Sequence, residues 1–309
     1  MRLVSRQGRR FLREWYEVKF SLAFRSKFGT EFQEFFASIM EHVYPEDFQR
    51  VKPYGKIGDK KCDGYRHTSK CVFQVYAPEK MNVVETNGKI EEDFTGAVEH
   101  WAAKMCLWTF VHNQWRGIPA DVVQKLIDLD GKCGVTVSRW CETELRNEFF
   151  RLSPADQALI LGPPLTALAV SRVGMRDVVE VVGVISQQEA SSPSEIGQVP
   201  AGKLKANALS ENVQYLLTMG SRKSKLVKKF FDEWNDPELG DRIAQAFKSK
   251  YQELRSAGIV GDEVFHELWQ FAGGGAQETM NRTAAVLAVL AFLFEECEIF
   301  ESPTSGGNN

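Results

Sequence analysis

The spacing of apolar residues changes character near residue 48, and this change limits the folds available to the chain. Before it, apolar residues recur at helical spacing over residues 9–28 and 31–43. Residues 48–78 instead carry short apolar runs among glycine and proline, which predicts a small antiparallel sheet. A chain that begins with helices and then supplies strands requires a fold with at least two layers.

The following segments alternate between helical and strand patterns. Two runs rich in β-branched and aromatic residues predict strands, residues 107–111 and 135–137. Helices are predicted around them, at residues 91–104, 120–129 and 142–152. This order predicts an α/β (α+β) core with a mixed central sheet.

At 309 residues the chain is longer than a usual single domain. Residues 153–185 predict one or two further helices, and residues 186–202 collect glutamine, serine, proline and glycine as a linker does. We therefore expect a core domain over residues 1–185, the linker over 186–202, and a helical domain over 203–309. Helices are predicted in that last region at residues 209–219, 223–235, 238–257, 262–271 and 279–300.

Composition excludes several classes of protein. A formal net charge of −3 excludes a chain-wide polycation, although Arg9, Arg10 and Arg13 could contact phosphate or simply lie on a solvated helix face. No apolar run reaches the roughly 18 residues needed to cross a bilayer, and the start lacks a secretory signal, so we expect a cytoplasmic protein without membrane contact. Six cysteines without CxxC spacing predict reduced thiols.

Residues 58–78 carry the pattern with the clearest chemistry. Asp59 and Asp63 stand four apart in a glycine-bracketed turn, and Gln74 lies in an apolar run eleven residues after Asp63. Magnesium takes hard oxygen ligands, usually only one or two from the protein, and it activates water for phosphodiester hydrolysis. We predict that Asp63 and Gln74 bind Mg²⁺ or Mn²⁺, whereas Asp59 binds a second ion or shapes the turn. A zinc site at Cys62, His67 and Cys71 is disfavoured because no fourth ligand is near.

The pattern Gly-Asp-x-x-x-Asp-Gly, followed by a strand with glutamine, resembles Mrr-like members of the PD-(D/E)XK nuclease superfamily. The resemblance implies a restriction-endonuclease-like core in which Asp63 and Gln74 surround the metal ion. It also implies a glutamate from the preceding helix, either Glu31 or Glu34. Tyr76 stands where the family's Gln-x-Lys motif has its catalytic lysine. The candidates to replace that lysine are Lys61 and Lys80, and the weaker candidates for DNA contact are Tyr76, His112, Asn113, Arg9, Arg10 and Arg13.

A wider resemblance adds a biological setting. Residues 58–65 and 73–78, together with the ending over 289–301, are similar to the nuclease subunit of ABC-three-component systems, which include the Lamassu anti-phage systems. The resemblance implies a bacterial DNA endonuclease held inactive by an SMC-like ABC ATPase and a third small subunit. It also implies that release and homo-oligomerisation activate cutting of double-stranded DNA.

Two other functions remain open. The tyrosine at position 76 motivates a non-catalytic subunit that grips DNA or bridges partners, and the same hydrolytic chemistry would suit an RNA-cutting toxin. The apolar run 284–294 must be buried, either in its own domain or in a subunit interface. Because a helical domain of about a hundred residues has limited core, we expect this run to support assembly with other copies or with the ATPase.

Overall fold

The computed structural model describes residues 6–52, 60–186, 208–236, 238–275 and 279–296. The chain divides into two compact units. The sheet unit comprises Ala23–Leu161, and the helical unit comprises Met1–Leu22 with Gly162–Asn309. Strands are found only in the sheet unit within the described ranges. The predicted α+β class, with a helical C-terminal region, is confirmed.

The sheet unit follows the predicted alternation. The last turn of helix α1 (Arg6–Ser26) belongs to this unit. The other helices and strands of the unit are α2 (Gly29–Val43), β1 (Phe48–Arg50), β2 (Gly64–Arg66), β3 (Cys71–Tyr76), α3 (Val83–Trp101), β4 (Leu107–His112), α4 (Ala120–Leu129), a 3-10 turn (Lys132–Gly134), β5 (Thr136–Trp140), α5 (Glu142–Phe149) and α6 (Pro154–Leu161). Helix α3 begins eight residues earlier than predicted. The side chain of Asn82 accepts a hydrogen bond from the backbone N–H of Glu85 (3.1 Å) and thereby caps the N-terminus of the helix.

The five strands lie in the order β1-β2-β3-β4-β5. The first three pair antiparallel, whereas β3–β4 and β4–β5 pair parallel, so the sheet is mixed. Gln74 on β3 lies opposite Phe110 on β4, and Tyr76 lies opposite His112. Helix α3 makes the connection between the parallel strands β3 and β4, as parallel pairing requires.

The two faces of β3 contact different helices. Phe73 packs against Phe36 of α2, with ring centroids 5.4 Å apart. Val72 belongs instead to an apolar cluster that includes Phe94 of α3. Because successive side chains of a strand point to opposite faces, Gln74 lies on the α3 side of the sheet with Val72.

The helical unit is built around its last helix. Its helices after residue 162 are α7 (Ala167–Arg172), α8 (Met175–Ser186), α9 (Glu211–Ser221), α10 (Ser224–Glu233), α11 (Leu239–Ser256), α12 (Asp262–Phe271) and α13 (Met280–Glu296). Helix α13 packs against α7, α8, α9, α10 and α12. Every side chain from Ala284 to Phe294 is buried. The approach of α9 to α13 is close, because a Cβ at Gly220 would lie 2.4 Å from the carbonyl oxygen of Leu287.

This burial corrects one expectation from the sequence. The apolar run 284–294 was expected to support assembly because its own domain had little core to cover it, but the chain covers the run itself. The reason is that α7 and α8 join the helical unit and contribute buried side chains such as Val178, Val181 and Ile185. The predicted boundary at residue 185 differs from this division for the same reason. The predicted linker lies outside the described residues after Ser186.

No helix in the described ranges combines the length and the apolar composition that crossing a bilayer requires.

Candidate functional site

Asp63 is held by backbone groups at the start of β2. Its N–H donates to the carbonyl oxygen of Phe73 (2.9 Å), and its own carbonyl oxygen accepts from the N–H of Val51 (3.1 Å). Its carboxylate reaches β3, where Oδ2 accepts a hydrogen bond from the N–H of Val75 (2.6 Å). The carboxylate is therefore fixed against the strand, at the residue that follows Gln74.

Helix α2 contributes an amide, and not a carboxylate, to the surroundings of Asp63. Gln33 Nε2 lies 3.4 Å from Asp63 Oδ1 and 3.4 Å from the carbonyl oxygen of Val75. Glu34 instead forms an ion pair with Arg50, and Glu31 is exposed. A metal-binding role for either glutamate stays a prediction. Gln33 was missed because its neutral side chain sits between two more conspicuous acids, although its helical phase places it beside the buried Phe32 and Phe36.

Gln74 is buried, with 5% of its surface exposed, and its Oε1 has no hydrogen-bond partner among the described residues. Leaving such an atom unpaired costs on the order of 1–3 kcal/mol. Other buried polar atoms of the sheet unit share this property within the described ranges, among them Thr86 Oγ1, Asp93 Oδ2, Trp108 Nε1 and His112 Nε2. Each such atom calls for an explanation, such as an ordered water or a bound ion.

The donor chemistry of Asp63 and Gln74 fits a magnesium or manganese ion. A carboxylate and an amide oxygen are both hard ligands, and an ion would satisfy the unpartnered Oε1 of Gln74. Among the described residues no group of three His, Cys, Asp or Glu side chains is arranged to hold a metal. An ion here would therefore depend on few protein ligands, with water and phosphate oxygens as the others. Asp59, the other predicted acid, lies outside the described residues.

The two candidate lysines have different surroundings. Lys61 Nζ forms ion pairs with Glu92 and Asp93 of α3, and the pKa of Lys61 is raised, chiefly by its hydrogen bond to Glu92. Lys80 is exposed. At the motif position itself, the ring of Tyr76 packs 6.2 Å from that of Phe110. The role of either lysine at phosphate stays a prediction.

His112 and Asn113 are buried at the end of β4. The Nδ1 of His112 accepts from the N–H of Gln114 (3.2 Å). Burial, with the nearby charge of Arg139, lowers the pKa of His112 to about 4, so its ring is neutral at pH 7. Asn113 donates to the carbonyl oxygen of Lys27 (3.3 Å). Contact of either side chain with DNA stays a prediction.

The arginines of α1 are described only in part. Arg13 forms an ion pair with Glu17 at 3.4 Å, on an exposed part of the helix. The side chains of Arg9 and Arg10 lie outside the described residues. Their contact with phosphate also stays a prediction.

Two of the residues considered for zinc, Cys62 and Cys71, are buried thiols, and the prediction against zinc stays a prediction. Cys71 Sγ lies 3.2 Å from Thr109 Oγ1, and burial raises the pKa of Cys71 to about 12. The thiol of Cys62 donates to the carbonyl oxygen of Gly64 (3.3 Å). Zinc binds the thiolate form, which such burial disfavours.

Comparison with known proteins identifies the C-terminal region. Residues 176–301 match the family described as C-terminal domain 10 of the ABC-three component (ABC-3C) systems. The match covers less than half of the chain, from the start of α8 to beyond α13. It supports membership of the chain in such a system. No curated protein and no solved structure matches the chain.

Proposed function

We propose that this chain is the metal-dependent DNA endonuclease effector of an ABC-three-component defence complex of the Lamassu type. One observation carries the proposal. The carboxylate of Asp63 is fixed to the N–H of Val75, and the preceding residue, Gln74, buries an amide oxygen without a partner among the described residues. The match of residues 176–301 supplies the multi-component setting.

In this proposal Asp63 and Gln74 hold Mg²⁺ or Mn²⁺ on the sheet. The bound ion would polarise the scissile phosphate and lower the pKa of the attacking water. The hydrogen bond from Val75 keeps the Asp63 carboxylate in one orientation, and Gln33 lies on its other oxygen. The phosphate also needs a positive group, for which Lys80 and Lys61 are the candidates.

The complex would control when this site meets DNA. We infer that an SMC-like ABC ATPase and a third small subunit hold the effector inactive in the bacterial cytoplasm. Foreign DNA or replication intermediates would release it, and released subunits would then associate. Two associated copies bring two sites together, which suits cleavage of both strands of a duplex.

The test is cleavage by the purified chain of supercoiled plasmid, linear DNA and RNA, with Mg²⁺ or with EDTA. We expect DNA cleavage that requires Mg²⁺ and that Asp63→Asn abolishes. The matched control is Asp47→Asn. The carboxylate of Asp47 also accepts from a backbone group, the N–H of Thr68 (2.7 Å), but its other hydrogen bonds come from the side chains of Arg66 and Thr68, which lie in neither β3 nor α2. This control should keep cleavage.

Each other outcome points to a different function. Binding of DNA without cleavage, in both metal conditions, would indicate a non-catalytic DNA-gripping or scaffolding subunit. Cleavage of RNA alone would indicate an RNA-cutting toxin. DNA cleavage that survives Asp63→Asn would mean that the site is misplaced.

A further inference from the structure

The residues immediately before Asp63 have an unusual backbone. Lys60 has φ +55° and Lys61 has φ +57°, so two consecutive non-glycine residues lie in the left-handed region. L residues rarely adopt this conformation, and a pair of them persists only where the surrounding structure imposes it. Helix α3 contacts both of these residues.

The backbone of Lys60 is attached to the C-terminal end of α3. Its carbonyl oxygen accepts a hydrogen bond from Nε1 of Trp101 (3.1 Å). The indole of Trp101 is itself fixed, because it stacks on the ring of Tyr65 with centroids 5.2 Å apart. The hydroxyl of Tyr65 donates to the carbonyl oxygen of Lys104 (2.6 Å).

The amine of Lys61 is attached to the middle of the same helix. It pairs with Glu92 and lies 3.3 Å from Oδ1 of Asp93. Asp93 is fully buried, and the same Oδ1 accepts from Lys89 Nζ (2.7 Å). A carboxylate removed from water requires such cationic partners, so Asp93 strongly favours keeping the Lys61 amine at α3.

The stem of Lys61 crosses α3 over a glycine. A Cβ added at Gly96 would lie 2.6 Å from Cγ of Lys61 and 3.6 Å from its Cβ. Any larger residue at position 96 therefore has to displace the lysine stem. Gly88, in the same helix, has no atom within 4 Å of an added Cβ, so the helix itself does not exclude alanine.

We propose that Asp93 and Gly96 are positioning residues for Asp63. They bind Lys61 to α3, hold Lys60 and Lys61 in the left-handed conformation, and thereby set the carboxylate of Asp63 against the N–H of Val75. We call these contacts of Lys61 with Asp93 and Gly96 the clamp. Only its effect on catalysis rests on the proposed function. The clamp commits the Lys61 amine to α3, which leaves Lys80 as the candidate that contacts phosphate.

The experiment compares Gly96→Ala with Gly88→Ala and adds Lys61→Met, which keeps the stem but removes the amine. One readout is the amide signal of Val75 in the full-length protein by ¹H–¹⁵N NMR, with its rate of hydrogen exchange. The other is plasmid cleavage as a function of Mg²⁺ concentration. The first readout reports the Asp63–Val75 hydrogen bond whether or not the protein cuts DNA.

We expect Gly88→Ala to match the wild type in both readouts. Gly96→Ala and Lys61→Met should each shift the Val75 amide signal and speed its exchange. Both should also lower cleavage about 10–100-fold and raise the Mg²⁺ concentration needed, as loss of a supporting contact at a metal site does. The double variant with Gly96→Ala and Lys61→Met should cut DNA at nearly the same rate as Lys61→Met alone, because both substitutions act on one contact.

An unchanged Val75 signal in both Gly96→Ala and Lys61→Met would overturn the clamp. A changed Val75 signal with wild-type cleavage would overturn its catalytic consequence. If the wild type does not cut DNA, the proposed function fails, and the NMR readout still decides the clamp. Should Gly96→Ala fail to fold, Lys61→Met decides both points, because methionine keeps the stem and Lys89 still pairs with the buried Asp93.

Discussion

The two compact units bury different kinds of groups. The helical unit has at its centre a helix whose side chains from Ala284 to Phe294 are apolar and buried. The sheet unit buries an amide, a carboxylate and an imidazole, those of Gln74, Asp93 and His112, each with one polar atom that has no partner in the described part of the chain. In the helical unit the groups of this kind include the indole N–H groups of Trp15 and Trp269. Burial of apolar surface stabilises the last helix of the helical unit. Burial of a polar atom without a hydrogen bond instead costs free energy.

This difference is the reason that we propose the functional site in the sheet unit. A well-packed apolar helix needs no ligand and no partner chain to explain it. Buried polar atoms without a partner call for an explanation, and for Gln74 in the sheet unit the proposed metal site supplies one. The assembly role of the helical unit stays a prediction.

The largest expected effect is loss of cleavage in Asp63→Ala and Gln74→Ala. Each removes an oxygen ligand of the proposed ion, so the rate should fall by at least about 100-fold, as it does when a group that stabilises transition-state charge is removed. Cleavage assays measure the loss, and circular dichroism checks that both variants fold. Wild-type rates in both variants would show that the buried polar atoms of the sheet unit do not locate the proposed active site.

In the helical unit the large effects should be on stability. Leu287→Ala removes a fully buried side chain of α13 and should lower the free energy of unfolding by about 2–5 kcal/mol. The control is Leu168→Ala in α7, where the leucine is exposed and the change should be within about 0.5 kcal/mol. Urea unfolding measures both. Equal effects would mean that α13 is not the core of its unit.

Acid should destabilise the sheet unit through His112. Burial, with Arg139 nearby, lowers its folded-state pKa to about 4 from 6.5, so the folded state favours the neutral ring. The folded state therefore loses stability as the pH falls from above 6.5 to below 4, by about 3 kcal/mol in total. His112→Asn, which keeps an acceptor for Gln114, should flatten unfolding curves over that window. The exposed His100, changed to Gln, should leave the pH dependence intact.

The smallest effect is a gain. Gly88→Ala places a methyl group in open space within helix α3 and should raise the free energy of unfolding by about 0.5–1 kcal/mol. Thermal unfolding measures the gain. A loss of stability would show that the surroundings of α3 differ from those described.

The sequence predicted much of the fold because periodicity is a local property. The strands β3 and β4, helix α4 and helix α12 all appear where the apolar pattern predicts them, with α4 and α12 at the predicted residues. The first turns of α3 were missed because residues 83–90 have few apolar side chains, and a cap at Asn82 supplies the start.

The surroundings of the candidate site were less predictable. Asp63 and Gln74 stand out as an acid in a turn and an amide in an apolar strand. Gln33, Asp93 and Gly96 reach this region from helices that are distant in sequence, and their significance depends on which face of each helix meets the sheet or the segment before Asp63. Tertiary packing decides which face that is, and the spacing of residues along the chain does not reveal it.

The most direct measurement of the central claim is the behaviour of Gln74→Leu, with stability and cleavage determined on the same protein. Leucine has a similar volume and no polar atom, so it removes a buried oxygen that has no partner among the described residues. If Gln74 serves a metal site, the variant should unfold at the same or higher urea concentration and should lose Mg²⁺-dependent DNA cleavage. A variant that is less stable than the wild type and still cuts DNA at the wild-type rate would contradict the account.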